Sequence, residues 1–365
     1  MLNLFNNLFG KKDTPITSYQ DFWTWFQKNE KQFFNVVKQQ GDIEHEFFDQ
    51  LSPRLNQLKE GFFYLTGMLS NDTAELVFTA DAAVKNIVFV EELVNAAPLI
   101  NGWKFTALKP ALDIKDVGIK MGDYTFNSEN LQFYANHDPA FPDEIDITMV
   151  HRDYTLENAG NITNGTYIFL DNYLGELKFA TTVDHLNVCG PADTQQELIP
   201  VGKLNDYLIW REKEFVERYE GTRHDTENDQ YDLLEATLSN GHALIAVINR
   251  NMLNWESKAS HPWILDVEIK YDGSQNRGMP DKPTYTLLDE LEDRLMDQLK
   301  DVEGYLNIGR ETADNQRNIY FACKDFRLPA KAAQQLKTAY AGQLGVSYDI
   351  YKDKYWQSFK RYMRS

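Results

Sequence analysis

Two rhythms in the chain, and the order in which they occur, predict an α+β architecture. Between about Pro262 and Trp356 apolar residues recur first at every second position and then at helical spacing, in the order strand, helix, strand, strand, helix, strand. Trp263, Leu265, Val267, Ile269 and Tyr271 alternate with Asp266, Glu268 and Lys270, which gives a strand with one core face. Leu288, Leu291, Leu295 and Leu299 then form a helical stripe, with Asp289, Glu290, Glu292, Asp293 and Asp297 crowding the remaining surface. Asp281, just before Lys282 and Pro283, suits the start of that helix, because a carboxylate caps free backbone donors and proline is tolerated in the first turn. Leu306 and Ile308, a turn near Asp314 and Asn315, and then Ile319, Phe321 and Cys323 read as a hairpin. Ala333, Leu336 and Tyr340 mark a second helix ending near Gly342 or Gly345, and Val346, Tyr348 and Ile350 make the closing strand. With right-handed crossovers, this order folds into a ferredoxin-like βαββαβ split sheet with both helices on one face.

A second α+β domain is expected before it. Ser18 is a plausible cap for a helix running to about Gln40, with Phe22, Trp25, Phe26, Phe33, Val36 and Val37 as its apolar stripe. A helix over Ile43 to Leu58 follows, with Pro53 placed to kink it. Phe63 to Leu69 and Glu75 to Thr79 read as strands paired around Asn71 and Asp72, Val84 to Ala97 as a helix stopped by Pro98, and Lys104 to Leu108 as a strand. Further strands are expected at Gln132 to Tyr134, Ile145 to Val150 and Thr181 to Val188, with a helix over Tyr167 to Leu177. The polar stretch opened by Gly190 and Pro191 is the natural boundary, so the expected organisation is an arm at 1–17, a domain at 18–190, a linker at 191–205 and a domain at 206–365. Asp206 to Asn240 reads as two helices leading into a strand at Ala243 to Ile248.

Charge restricts the partners. With 37 Lys and Arg against 55 Asp and Glu the formal net charge is −18, and a surface this acidic repels nucleic-acid phosphates and anionic membranes while suiting cations and basic proteins. The plainer use of such charge is solubility. Cys189 and Cys323 lie far apart in sequence and outside any Cys-x-x-Cys pair, so neither a disulfide framework nor a zinc or redox motif is expected. Met1 to Gly10 lacks an early basic cluster and a cleavage site, and no uncharged apolar run reaches the ~20 residues that span a bilayer, so a cytoplasmic location is expected. Leu2, Phe5 and Phe9 share helical spacing, followed by Lys11 and Lys12, and suit a helix docking on its own domain, with an interfacial anchor as the alternative.

The chain contains no phosphate-binding glycine loop, no dinucleotide fingerprint and no nucleophile elbow, which weakens three large enzyme classes. His45-Glu46 opens like a zinc-protease motif, but Asp49 stands where the second histidine belongs, so these residues read as a solvated helix face. His137, His151 and His185 each have a carboxylate nearby, at Asp138, Asp153 and Asp184. Neighbours on a strand point to opposite sides and seldom pair, so a satisfied structural histidine is the simpler reading of each. Glu144 and Asp146 could share one strand face and serve a divalent cation, although a water-facing strand edge explains them as well.

The sheet face away from the helices is the sharper target. With the first and third strands at the centre, Asp266 and Glu268 stand beside Tyr320 and Lys324, and the closing strand adds Asp349 and Tyr351. Two central carboxylates suit a basic protein rather than RNA, which needs stacking rings and positive charge there. Packing against the first domain, or plain solvation, is the competing use of this face. Arg310 and Arg317 are expected to pair with the acidic helix backs.

The runs PWILDVEIKYDG from Pro262, NRGMPD at Asn276 to Asp281, GYLNIGRETADNQRNIYFACKDF at Gly304 to Phe326 and YDIYKDKYW at Tyr348 to Trp356 resemble the bacterial domain-of-unknown-function family 695 over about Tyr231 to Trp356. WFQKNE at Trp25 to Glu30 and LDNYLGE at Leu170 to Glu176 resemble an N-terminal extension of uncharacterised bacterial proteins. In some proteins the family adjoins a domain similar to the regulator of ribonuclease activity B, an acidic ferredoxin-like inhibitor. The likeness to that inhibitor is one of fold alone, and the resemblance carries over neither catalytic nor binding residues.

The expectation is therefore a cytoplasmic, non-catalytic interaction or regulatory module that meets a basic protein partner through acidic surfaces, with no metal, cofactor or direct nucleic-acid contact. The alternative is a small-molecule- or metal-binding protein or enzyme with a carboxylate site between the domains.

Overall fold

The structure, a computed structural model, describes residues 15–194 and 196–363. The stripe of Leu2, Phe5 and Phe9 lies outside the described residues. The chain divides into two compact units, Met1–Lys109 and Pro110–Ser365.

In the first unit, Ser18 caps α1 (Tyr19–Gln39) by accepting from Asp21 N at 3.1 Å. A π-helical turn at Glu44–Phe48 leads into α2 (Asp49–Leu58), which contains Pro53. Strands β1 (Phe63–Ser70) and β2 (Thr73–Thr79) are antiparallel, and α3 (Val84–Asn95) crosses over to β3 (Trp103–Ala107), parallel to β2. Their shared core is aromatic: Phe33 and Phe47 stack at 4.3 Å, and Trp23, rather than the expected Trp25, is wholly buried and donates to Leu93 O at 2.8 Å.

The second unit holds two larger sheets. Its first half contains a small hairpin, β4 (Ile119–Met121) and β5 (Tyr124–Phe126), which the sequence reading missed because three-residue strands leave no periodic signal. Strands β6 (Leu131–Asn136), β7 (Asp146–His151), β8 (His185–Cys189) and β9 (Ile199–Pro200) form a sheet in the order β8-β7-β6-β9. Helices α4 (Ala159–Leu174), α5 (Glu176–Thr182) and α6 (Leu204–Tyr219) accompany it. The helix expected at 167–177 is broken at Gly175, whose φ of 79° is a left-handed conformation that glycine adopts cheaply. Thr181 and Thr182, expected to begin a strand, close α5 instead.

The segment 191–205 is not a linker between compact units. Val201 and Leu204 are fully buried with Phe133, Leu170 and Leu208, and β9 pairs with β6, so the division falls at Lys109 instead. Polar composition misled here because a few buried side chains are enough to dock a short segment.

The last sheet has six antiparallel strands in the order β10-β11-β13-β14-β12-β15: β10 (Tyr231–Thr237), β11 (Ala243–Asn249), β12 (Trp263–Lys270), β13 (Tyr305–Ala313), β14 (Gln316–Cys323) and β15 (Gly345–Lys352). The short helix α7 (Arg250–Leu253) follows β11, α8 (Lys282–Gln298) links β12 to β13, and α9 (Arg327–Ala339) links β14 to β15. Asp281 caps α8 by accepting from Thr284 N at 2.9 Å. Strands β12 and β14, the first and third of the expected βαββαβ run, are central as anticipated. The second helix expected before Asn240 is instead the edge strand β10, where pairing with β11 overrides the helix-forming Leu, Glu and Ala of its sequence. Arg310 and Arg317 do pair with α8, reaching Glu292 at 2.7 Å and Asp289 at 3.0 Å.

The face away from α8 and α9 is covered by its own chain. Trp356 and Phe359 from the C-terminal segment and Met252 and Leu253 from α7 bury Ile264, Leu306, Ile308, Tyr320 and Ala322 in a second core. Trp356 Nε1 donates to His261 O at 3.0 Å, and the Phe359 ring meets Tyr320 edge-on at 5.2 Å.

Candidate functional site

The two sheets of the second unit meet along a polar seam centred on Asp184. Its carboxylate accepts from Lys352 Nζ at 2.8 Å, Lys354 Nζ at 2.7 Å and Ile145 N at 2.6 Å. The two lysines lie at and just past the end of β15. Lys352 continues to the carbonyls of Thr181 and Thr182 at 2.7 and 3.0 Å, at the C-terminal end of α5, where a cation is favoured. Lys354 continues to Asp143 O at 2.6 Å. Burial works to raise the Asp184 pKa, but the two ammonium groups outweigh it and hold the carboxyl below its ordinary range. Burial also lowers Lys352 to about 8, since one carboxylate shared between two cations compensates only part of the desolvation.

Beside this seam, Asp143 collects three donors. Tyr219 and Tyr355 hydroxyls donate to Oδ2 at 2.8 and 2.7 Å, and Arg218 binds Oδ1. Burial and the neighbouring carboxylate push the Tyr219 hydroxyl up to about 12, so it remains a donor at neutral pH.

A cavity of about 650 Å³ opens on the other side of the seam. Asp138, Glu144, Asp146, Asp184 and Asp353 line it, against Lys352 and Lys354, which leaves a surplus of three negative charges. Each acid is positioned by a local bond. Asp138 Oδ1 accepts from Ala140 N at 2.8 Å, Asn136 Nδ2 donates to Asp146 Oδ1 at 2.8 Å, and Asp353 accepts from Gln357 N at 2.8 Å. Glu144 faces His185 Nε2 at 3.1 Å, and burial raises its pKa despite that contact. Among the described residues no three His, Cys, Asp or Glu side chains converge to hold a metal ion.

The structure thus joins Glu144, Asp146, Asp184 and His185 in one cavity; the spacing of Glu144 and Asp146 allowed the first pair, whereas His185 read as a structural histidine. His151 is elsewhere: it is fully buried, with Nε2 against Thr125 O at 3.0 Å and Nδ1 accepting from Asp153 N at 3.2 Å, a satisfied core histidine. His137 is exposed, and His45 pairs on the surface with Asp42 at 2.9 Å.

The six residues expected on an open sheet face do not form one accessible surface. Tyr320 is 5% exposed beneath Phe359, and Lys324 is drawn aside to Thr222 O. Asp266 is half-buried and accepts from Asn318 at 2.7 Å, and burial raises its pKa. Glu268 binds Lys270 at 3.0 Å, Tyr351 donates to Ser358 Oγ at 3.2 Å and lines the acidic cavity, and Asp349 is exposed. The C-terminal segment covers much of this face, with Trp356 and Phe359 packed on it beside Met252 and Leu253. Lys352 and Lys354 were missed, because lysines at a strand end are ordinarily exposed and the carboxylate that holds them is far away in sequence.

No helix among the described residues is long and apolar enough to cross a membrane. Residues 233–363 match the model of a family of unknown function, DUF695. Neither a curated protein nor a solved structure matches the chain.

Proposed function

We propose that the protein is a non-catalytic interaction module that receives cationic side chains of a basic protein partner in the acidic cavity between the two sheets of its second unit. The observation that carries this reading is the cavity's uncompensated charge: five carboxylates against two ammonium groups, both of which Asp184 already holds. The net charge of −18 draws a basic partner towards the molecule and disfavours nucleic acid. Expected cytoplasmic residence supplies such partners. The metal-binding form of the alternative has no converging ligand set among the described residues.

The test is fluorescence anisotropy with labelled nona-arginine, comparing wild type with the double variant Asp138→Asn, Glu144→Gln at several salt concentrations. Both side chains line the cavity without contacting Lys352 or Lys354. Removing two charges near the peptide weakens binding about tenfold at low salt, on the basis of roughly 0.5–1 kcal/mol per partly screened pair. Equal affinity for wild type and variant, or binding indifferent to salt, rejects the proposal.

A further inference from the structure

A second cavity, of about 400 Å³, lies on the helix side of the six-stranded sheet between α8 and strands β10, β11 and β13. Its floor is built by a β-bulge. Strand β13 shifts register between Asn307, which opposes Phe321, and Gly309, which opposes Tyr320, so that Arg310 opposes Ile319. Phe321 and Ile319 are two apart on one strand and share a face, so the extra residue brings Asn307 and Arg310 to the same side. Bulges commonly re-aim side chains in this way beside functional sites.

Asn307 lines this cavity, is only 6% exposed, and its side-chain Nδ2 has no hydrogen-bond partner. A buried amide left unmade is costly, and a ligand that supplies an acceptor relieves that cost. Arg310 bonds Glu292 through Nη1 at 2.7 Å, which leaves other guanidinium donors beside Asn307. Across the cavity, on α8, Glu292 is held by Arg310, whereas Asp293 is exposed and makes no ion pair among the described residues. Val247 and Met296 supply apolar wall.

We propose that this cavity binds a free α-amino acid with an apolar side chain. The carboxylate accepts from Asn307 Nδ2 and Arg310, the ammonium group faces Asp293, and the side chain lies against Val247 and Met296. The recognition needs both charges of the zwitterion at once. The site is separate from the acidic cavity, and its existence does not depend on a protein partner.

The experiment is differential scanning fluorimetry on the full chain with three probes at equal millimolar concentration: L-leucine, 4-methylpentanoate, which lacks the amine, and 3-methylbutylamine, which lacks the carboxylate. L-leucine is expected to raise the melting temperature and the two half-ligands to leave it unchanged. Asn307→Leu keeps or raises the ligand-free melting temperature, because it removes an unpaired amide, and weakens L-leucine at least tenfold. Asp293→Asn, a change at an exposed rim position, weakens it similarly and serves if Asn307→Leu does not fold. No shift of wild type with L-leucine, an equal shift with 3-methylbutylamine, or undiminished binding by a folded Asn307→Leu or by Asp293→Asn overturns the proposal.

Discussion

Asp184→Asn and Lys352→Met should have unequal effects, because two buried ammonium groups share the one Asp184 carboxylate. The asparagine leaves Lys352 and Lys354 without a counter-charge and turns one oxygen acceptor of the seam into a donor. Breaking a buried ion pair by removing one partner costs about 3–5 kcal/mol. Lys352→Met instead leaves a one-to-one pair between Asp184 and Lys354. It strips the Thr181 and Thr182 carbonyls of a donor, at about 1–3 kcal/mol. It also relieves the burial of an ammonium group whose pKa has fallen from 10.5 to about 8, worth about 3 kcal/mol at 1.36 kcal/mol per unit. These two terms oppose each other, so Lys352→Met should stay within about 2 kcal/mol of wild type while Asp184→Asn loses about 3–5. Urea unfolding measures the difference. With a slope of about 2 kcal/mol/M, Asp184→Asn lowers the midpoint by about 1.5–2.5 M and Lys352→Met changes it by less than about 1 M. A Lys352→Met midpoint as low as that of Asp184→Asn refutes the assignment of Asp184 as the compensating charge.

The same lysine predicts a pH dependence. Below pH about 8 Lys352 is charged in both folded and unfolded chains and the burial cost is present in full. Between about 8 and 10.5 only the unfolded chain is protonated, so stability rises with pH, and above that range the contribution is constant. The stability of wild type minus that of Lys352→Met should therefore climb by about 3 kcal/mol between pH 7.5 and 10.5, and a flat difference counts against the lowered pKa. Trp356→Ala removes a fully buried ring and its bond to His261 O, and should cost about 3–5 kcal/mol in the same unfolding assay. A loss below about 1 kcal/mol would mean that the C-terminal segment does not cover the sheet.

Much of the fold was legible because local and long-range demands agree. The Asp281 cap, the leucine stripe of α8 and the turn at Asp314 and Asn315, both with positive φ, each specify their element without help from distant residues. What was illegible depended on partners far away in sequence. Strand β10 exists because β11 lies beside it, and Val201 is buried because β6 and α4 receive it. The acidic cavity was half legible: the spacing of Glu144 and Asp146 was visible, but Lys354 and Asp184 are 170 residues apart and no local pattern joins them. Asn307 gave no signal, since an unpaired amide is a property of packing rather than of composition.

The location of the buried charges determines what the acidic composition means. Three ion-paired groups are near-balanced: Asp184 with Lys352 and Lys354, Asp143 with Arg218, and Asp289 and Glu292 with Arg310 and Arg317. Together these contain four carboxylates and five cations, so they cannot be the source of the net charge of −18. The surplus must be carried by groups outside these seams, including the rim of the acidic cavity, where Asp138, Glu144, Asp146 and Asp353 stand. A field of that sign, gathered at a concave surface with low-dielectric walls, concentrates cations there more strongly than the same charge spread over a convex face. The proposed partner would therefore meet this field at an open cavity, whereas the sheet face is covered by the C-terminal segment.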